Sequence, residues 1–131
     1  MPLRLLLDTH VFLWACDDPG RIRENERIAI AASGNTVFVS AATAWEIAIK
    51  TASGKLSFPV SRLEEMVAGL GFVALPITAA HAIEAGALPR HHADPFDRVL
   101  IAQARIDAFA LITSDRKIVQ YDVRIFGAIA S

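Results

Sequence analysis

A single cysteine, Cys16, stands in a chain of 131 residues. One thiol excludes an internal disulfide and a thiolate metal centre, and it is compatible with a reducing cytoplasm. No apolar run approaches the ~18 residues of a membrane span. The opening residues 1–8 hold only a short apolar run ending on Asp8, without the longer run and small-residue cleavage site of a secretory signal. Charge of one sign is also missing as a block or tail. The 13 Lys and Arg residues nearly balance 14 Asp and Glu, for a formal net charge of −1. A generic basic nucleic-acid binder is thereby excluded, and any contact with a polyanion has to be local, through metal ions and a few Arg and Lys side chains. Repeats, linkers and low-complexity segments are absent too, so a single domain over residues 1–131 is expected.

What is present is apolar patterning, at 53% of residues. Residues 3–7 form a buried run that reads as a strand, and residues 9–15 open a short helix. Asp17-Asp18-Pro19-Gly20 is a turn by composition, and residues 21–32 carry a helical period stopped by Gly34-Asn35. Residues 36–39 are β-branched and aromatic, hence a second strand, with a helix over 40–52 after it. Ser61 and Glu64 have the spacing of a capping box, opening a helix to Leu70 with Gly71 as its stop. A third strand over 72–75 is cut by Pro76, and residues 78–85 read as a helix. After a loop over 88–93 containing His91 and His92, Asp94-Pro95 opens a long helix to about Asp107, with acid at the N-cap and proline at the first helical position. Residues 110–113 predict a fourth strand, 115–119 a short helix and 123–126 a final edge strand. This alternation predicts an α/β fold, a three-layer α/β/α sandwich around a mostly parallel sheet of four to five strands.

In such a sheet, ligands sit beyond the carboxyl ends of the strands. Asp8 follows the first strand directly, and Asp115 lies two residues past the fourth. Asp97 falls in the first turn of the helix before the fourth strand, and Glu46 in the second turn of the helix after the second strand. Four acids gathered on one edge cannot all stay ionised without a cation between them, which points to a hard divalent metal and phosphate chemistry. A plainer account stays open. Asp8 and Asp115 suit helix caps, Asp97 suits the positive end of a helix dipole, and Glu46 could pair with Lys50 at i,i+4. Against this, Glu46 sits among Ala44, Trp45, Ile47, Ala48 and Ile49, an apolar setting for a solvated acid. Asp94 reads first as an N-cap and only second as a ligand. Thr9, Ser40, Thr113 and Ser114 accompany the acids and could orient a ligand or a water. Arg98 could contact phosphate or hold a carboxylate, and Lys50 and Lys55 could do likewise. His91 and His92 are not read as ligands of a hard cation, and Trp14 and Trp45 suit core or interface better than base stacking.

Four strings carry a family resemblance: LLLDTH at 5–10, VSAATAWEIAIK at 39–50, HHADPFDRVLIAQA at 91–104 and LITSD at 111–115. In order and spacing, over nearly the whole chain, they resemble PIN-domain proteins, and among these the VapC-type toxins of bacterial toxin–antitoxin pairs. The Asp-Pro-Phe-Asp-Arg string is the most specific part. The resemblance implies a cytoplasmic, Mg²⁺- or Mn²⁺-dependent endoribonuclease with an acidic site of Asp8, Glu46, Asp97 and Asp115, Asp94 close by. It also implies a homodimer held inactive by a small VapB-like antitoxin whose tail covers the acidic groove. The expected chemistry is hydrolysis of an RNA phosphodiester, with water as nucleophile and a 5′-phosphate and 3′-hydroxyl as products. Two rivals are a phospho-receiver signalling domain and a non-catalytic binding module whose acids only cap helices. A receiver needs paired acids after strand one and an Asp ending a central strand, whereas this chain offers one acid there and Leu75-Pro76 after strand three.

Overall fold

A computed structural model describes residues 2–90, 93–115 and 117–127. The elements are β1 (Arg4–Leu7), α1 (Thr9–Asp17), α2 (Glu24–Ala31), β2 (Thr36–Ser40), α3 (Ala41–Ala52), α4 (Leu63–Gly69), β3 (Val73–Leu75), α5 (Ala79–Ala87), α6 (Pro95–Asp107) and β4 (Ala110–Ile112), with 3-10 turns at Pro19–Arg21, Val60–Arg62 and Ile118–Gln120. The strands run β3-β2-β1-β4 and every pairing is parallel. Register sets Leu7 opposite Ile112 and Ser40 opposite Leu75, which brings the carboxyl ends of the strands to a common rim.

Strand side chains alternate between two cores, as the pleat requires. Leu5, Leu7, Val37, Val39, Ala110 and Ile112 face Val11 and Phe12 of α1, Ala29 of α2 and Leu63 and Val67 of α4. Leu6 and Leu111 face Leu100, Ile101 and Ala104 of α6 on the other side, with Leu88, Phe109, Ile118 and Tyr121. The sheet is therefore buried on both faces, and β1 reads as a continuous apolar run for that reason. Helix α3 spans the two layers, giving Ala42 to the second core and Ile47 to the first. The three-layer parallel sandwich expected from the sequence is the one observed. No helix among the described residues is long and apolar enough to cross a membrane.

Several local expectations are corrected. The Ser61–Glu64 capping box does not form: residues 60–62 make a 3-10 turn, and α4 starts at Leu63 after Arg62, which makes no side-chain cap bond. Burial of Leu63 and Val67 fixes where that helix begins, overriding the cap signal. A reciprocal box occurs instead at Thr78, whose hydroxyl accepts from His81 N while its own N–H donates to His81 Nδ1. Helix α2 starts at Glu24, three residues later than its apolar period suggests, because Pro19–Arg21 closes its own turn. The short helix expected over 115–119 is replaced, among the described residues, by the 3-10 turn Ile118–Gln120. The final edge strand is reduced to one parallel bridge, Leu111 with Ile125, where Leu111 N donates to Arg124 O and Phe126 N to Leu111 O. His91 and His92 lie outside the described residues.

Candidate metal centre

Three helices begin at the rim, each with an oxygen side chain over its first turn. Asp8 Oδ1 accepts from Val11 N at 2.8 Å, Ser40 Oγ from Ala42 N at 2.9 Å, and Asp94 Oδ1 from Phe96 N at 2.8 Å and Asp97 N at 3.2 Å. Capping thus accounts for Ser40 and for one oxygen of Asp94 and of Asp8. It leaves the second oxygen of Asp8. Thr113 Oγ1 donates to Asp8 Oδ2 at 2.6 Å and Ser114 N at 3.2 Å, across 105 and 106 positions of chain. Thr113 Oγ1 in turn accepts from Asp115 N at 3.0 Å, so one hydroxyl fastens the end of β1 to the segment bearing Asp115. Asp115 Oδ1 accepts from Lys117 N at 2.9 Å, which folds that segment into a tight turn.

Asp8 is 3% exposed, and among the described residues no Lys or Arg pairs with it. Burial pushes its carboxyl above the usual Asp range, against the Thr113 hydroxyl, the Val11 and Ser114 N–H groups and the charge of His10, which pull it down. A buried carboxylate in this state has an oxygen surface that a cation would stabilise.

Glu46 is equally sunken, at 4% exposure. Thr9 Oγ1 donates to its Oε1 at 2.7 Å and approaches Thr43 Oγ1 at 3.3 Å, while Lys50 Nζ meets Oε2 at 2.5 Å. The bond to Glu46 raises the Lys50 ammonium above its ordinary value, and the charges of Asp94 and Asp97 add to the effect while burial opposes it. Lys50 therefore sits in the combined field of α3 and the first turn of α6. Those helices touch through Trp45, edge-on to Phe96 with ring centroids 5.0 Å apart. Trp14 is half-buried with the Arg21 guanidinium 4.9 Å from its ring centroid.

Arg98 reaches the connector between α5 and α6. Its guanidinium donates to the carbonyls of Ala85, Leu88 and Pro89 at 2.8–3.1 Å, tying the end of α5 to the start of α6. Lys55 follows the α3 C-terminus, where its N–H donates to Lys50 O.

Two groups have no counterpart in the sequence reading. Thr43 is fully buried against Thr9. Glu26, in the first turn of α2, is buried; desolvation raises its carboxyl, Arg23 lowers it, and the nearby charge of Asp8 raises it further. Glu26 lies in the charged string Arg23-Glu24-Asn25-Glu26-Arg27, which offers nothing to single it out.

The donor set, carboxylate and hydroxyl oxygens, has the chemistry of a hard cation. Among the described residues no three acidic, His or Cys side chains are gathered closely enough to enclose one. An ion that keeps several of its waters and takes one or two carboxylates, as Mg²⁺ commonly does, fits this arrangement. Beside the rim, a largely apolar cleft of about 400 Å³ is lined by Val39, Ser40, Leu63, Glu64, Val67 and Leu75, with none of Asp8, Glu46, Asp97 and Asp115 in its wall.

No curated protein matches the chain. Among solved structures, it is similar to a chain in the crystal structure of VapBC2 from Rickettsia felis bound to a DNA fragment from their promoter. The two share 14% identity over 94% of this chain and 96% of that one, at a TM-score of 0.69, a likeness of fold. Residues 5–124 match the PIN domain, a span that contains every carboxylate of the rim, and the chain belongs to that family.

Proposed function

We propose that this protein is a divalent-metal-dependent endoribonuclease, acting in the cytoplasm as the toxin of a type II toxin–antitoxin pair. The observation that carries the reading is Asp8: a buried carboxylate, clamped by Thr113 and Ser114 and, among the described residues, compensated by no Lys or Arg, on a rim shared with Glu46. A helix cap needs one oxygen of Asp8 and neither its burial nor its second clamp. Family membership supports nuclease chemistry, and the fold neighbour, a toxin–antitoxin complex, supports a protein partner.

Asp8, Asp97 and Asp115 would serve Mg²⁺ or Mn²⁺, one or two of them directly and the rest through the ion's waters, with Glu46 reaching it directly or through water and Asp94 as a less favoured donor. When bound, the ion would acidify water and neutralise charge developing on the phosphate. Glu46, to which Thr9 donates, would orient the attacking water and accept its proton. Thr113 and Ser114 keep Asp8 in its ionised orientation, and Thr9 and Ser40 frame the rim. Water rather than the ribose 2′-hydroxyl is the nucleophile, so the products carry a 5′-phosphate and a 3′-hydroxyl. The apolar cleft beside the rim suits a segment of a small VapB-like antitoxin. The exposed Trp45 and Ile49, one turn apart on α3, suit a homodimer contact.

The test is cleavage of RNA by purified protein in Mg²⁺, with Asp8→Asn and Asp97→Asn beside the wild type. Both variants should lose cleavage while melting within a few degrees of the parent, and EDTA should stop the parent. Undiminished cleavage by both variants, or turnover in chelator, would reject the site. RNA bound stoichiometrically but left intact in Mg²⁺ would favour a binding module.

A further inference from the structure

Lys50 and Glu46 are an i,i+4 pair, a spacing that on an open helix face contributes little. This pair is different in one respect. Its acid is buried, whereas the Lys50 side chain is 42% exposed. The ammonium therefore comes to Glu46 from the solvent side, on a flexible stem that can swing away without unfolding α3. Glu46 does not depend on it for orientation, because Oε1 is already fixed by Thr9 at 2.7 Å. What Lys50 supplies is charge, placed on Oε2 and within the field of Asp94 and Asp97. An ammonium at that oxygen occupies ground that a divalent cation would otherwise use.

We propose that Lys50 is the resident counter-ion of the acidic rim: it neutralises Glu46 when no divalent ion is bound, has to leave Oε2 when one binds, and so sets the metal affinity of the site. The inference rests on the metal-dependent reading above and adds a residue that weakens, rather than builds, the metal site.

Mn²⁺ alone is the probe, with its free concentration followed by electron paramagnetic resonance during titration of wild type, Lys50→Met and Lys50→Arg. Without the competing charge, Lys50→Met should bind Mn²⁺ about tenfold more tightly, whereas Lys50→Arg should stay near the parent. Melting gives a second readout. Lys50→Met should melt lower than the parent in EDTA, where Glu46 has lost its partner, and the deficit should close in saturating Mg²⁺. An ordinary structural ion pair would leave the same deficit in both buffers. Unchanged or weaker Mn²⁺ binding by Lys50→Met, or a deficit indifferent to Mg²⁺, overturns the proposal. Should Lys50→Met fail to fold, Lys50→Gln keeps a donor to Glu46 without the charge and should show the same gain. A wild type that binds no Mn²⁺ removes the metal reading and this inference together; a wild type that binds, with variants that do not differ from it, removes this inference alone.

Discussion

Replacing Thr9 by Val removes one hydroxyl from the rim and almost no volume. That hydroxyl donates to Glu46 Oε1 at 2.7 Å, between two buried groups, and also approaches Thr43. A hydrogen bond to a charged group contributes about 1.5–3 kcal/mol, and the loss is at its largest where the acceptor stays buried. Glu46 keeps Lys50 on its other oxygen, which argues for a cost of about 2 kcal/mol, in the lower half of that range. Unfolding entropy is about 2.1 cal/mol/K per residue, or about 0.28 kcal/mol/K for 131 residues. Thr9→Val should therefore lower the Tm by about 7 °C in EDTA. Thr9→Ser, which keeps the hydroxyl and loses a methyl, should lower it by only about 3 °C, from roughly 0.8 kcal/mol of lost burial. Differential scanning calorimetry on the three proteins decides the matter. If Thr9→Val melts within a degree of the parent, or no lower than Thr9→Ser, the hydroxyl is not holding the glutamate and the geometry of the rim has been misjudged.

Two other outcomes follow from the same structure. The carboxyl of Asp8 is raised in the folded protein above its reference value of 3.8, so its contribution to stability is full below the unfolded value and is lost as pH climbs through the folded one. In EDTA, the melting temperature of Asp8→Asn relative to wild type should accordingly rise with pH from the acid side, and Mg²⁺ at neutral pH should restore the wild type only; a difference independent of pH would contradict the burial argument. Ala108 closes α6 in a left-handed conformation, at φ 57°. Ala108→Gly should raise the Tm by about 2–4 °C, from roughly 0.5–1 kcal/mol of relieved backbone strain, and any fall in melting temperature would contradict that.

The parts of the fold legible in the sequence were those fixed by periodicity over several residues. The run at 3–7, the Asp94-Pro95 start and the long apolar period after it each override local ambiguity, and each element forms where the pattern puts it. What failed was local chemistry competing with burial. The hydroxyl at Ser61 and acid at Glu64 made a sound cap signature, but Leu63 and Val67 had to reach the core, and the helix began where they required. The true reciprocal box at Thr78 used a histidine as its third-position partner, which the Ser/Thr-x-x-Glu/Gln pattern does not include. At the rim, the sequence pointed to Asp8 and Glu46 because acids in apolar strings are costly without a purpose. It could not reveal that Thr113 reaches back to Asp8, since that contact depends on β1 and β4 being neighbours in the sheet. Glu26 was invisible for the opposite reason: its neighbours in the chain are charged, and only the packing of α2 buries it.

The clamp on Asp8 has a consequence in time. Its two long-range donors lie 105 and 106 residues after Asp8, so they are made long after it. The strand that pairs with β1 on that side, β4, is likewise synthesised late. A growing chain emerging from the ribosome therefore carries an incomplete rim until β4 and the residues just after it have emerged, whatever its helices have managed to form. The centre comes into being in one late step, when Thr113 clears the exit tunnel and β4 docks, so a truncated or stalled product would leave Asp8 without either of its long-range donors.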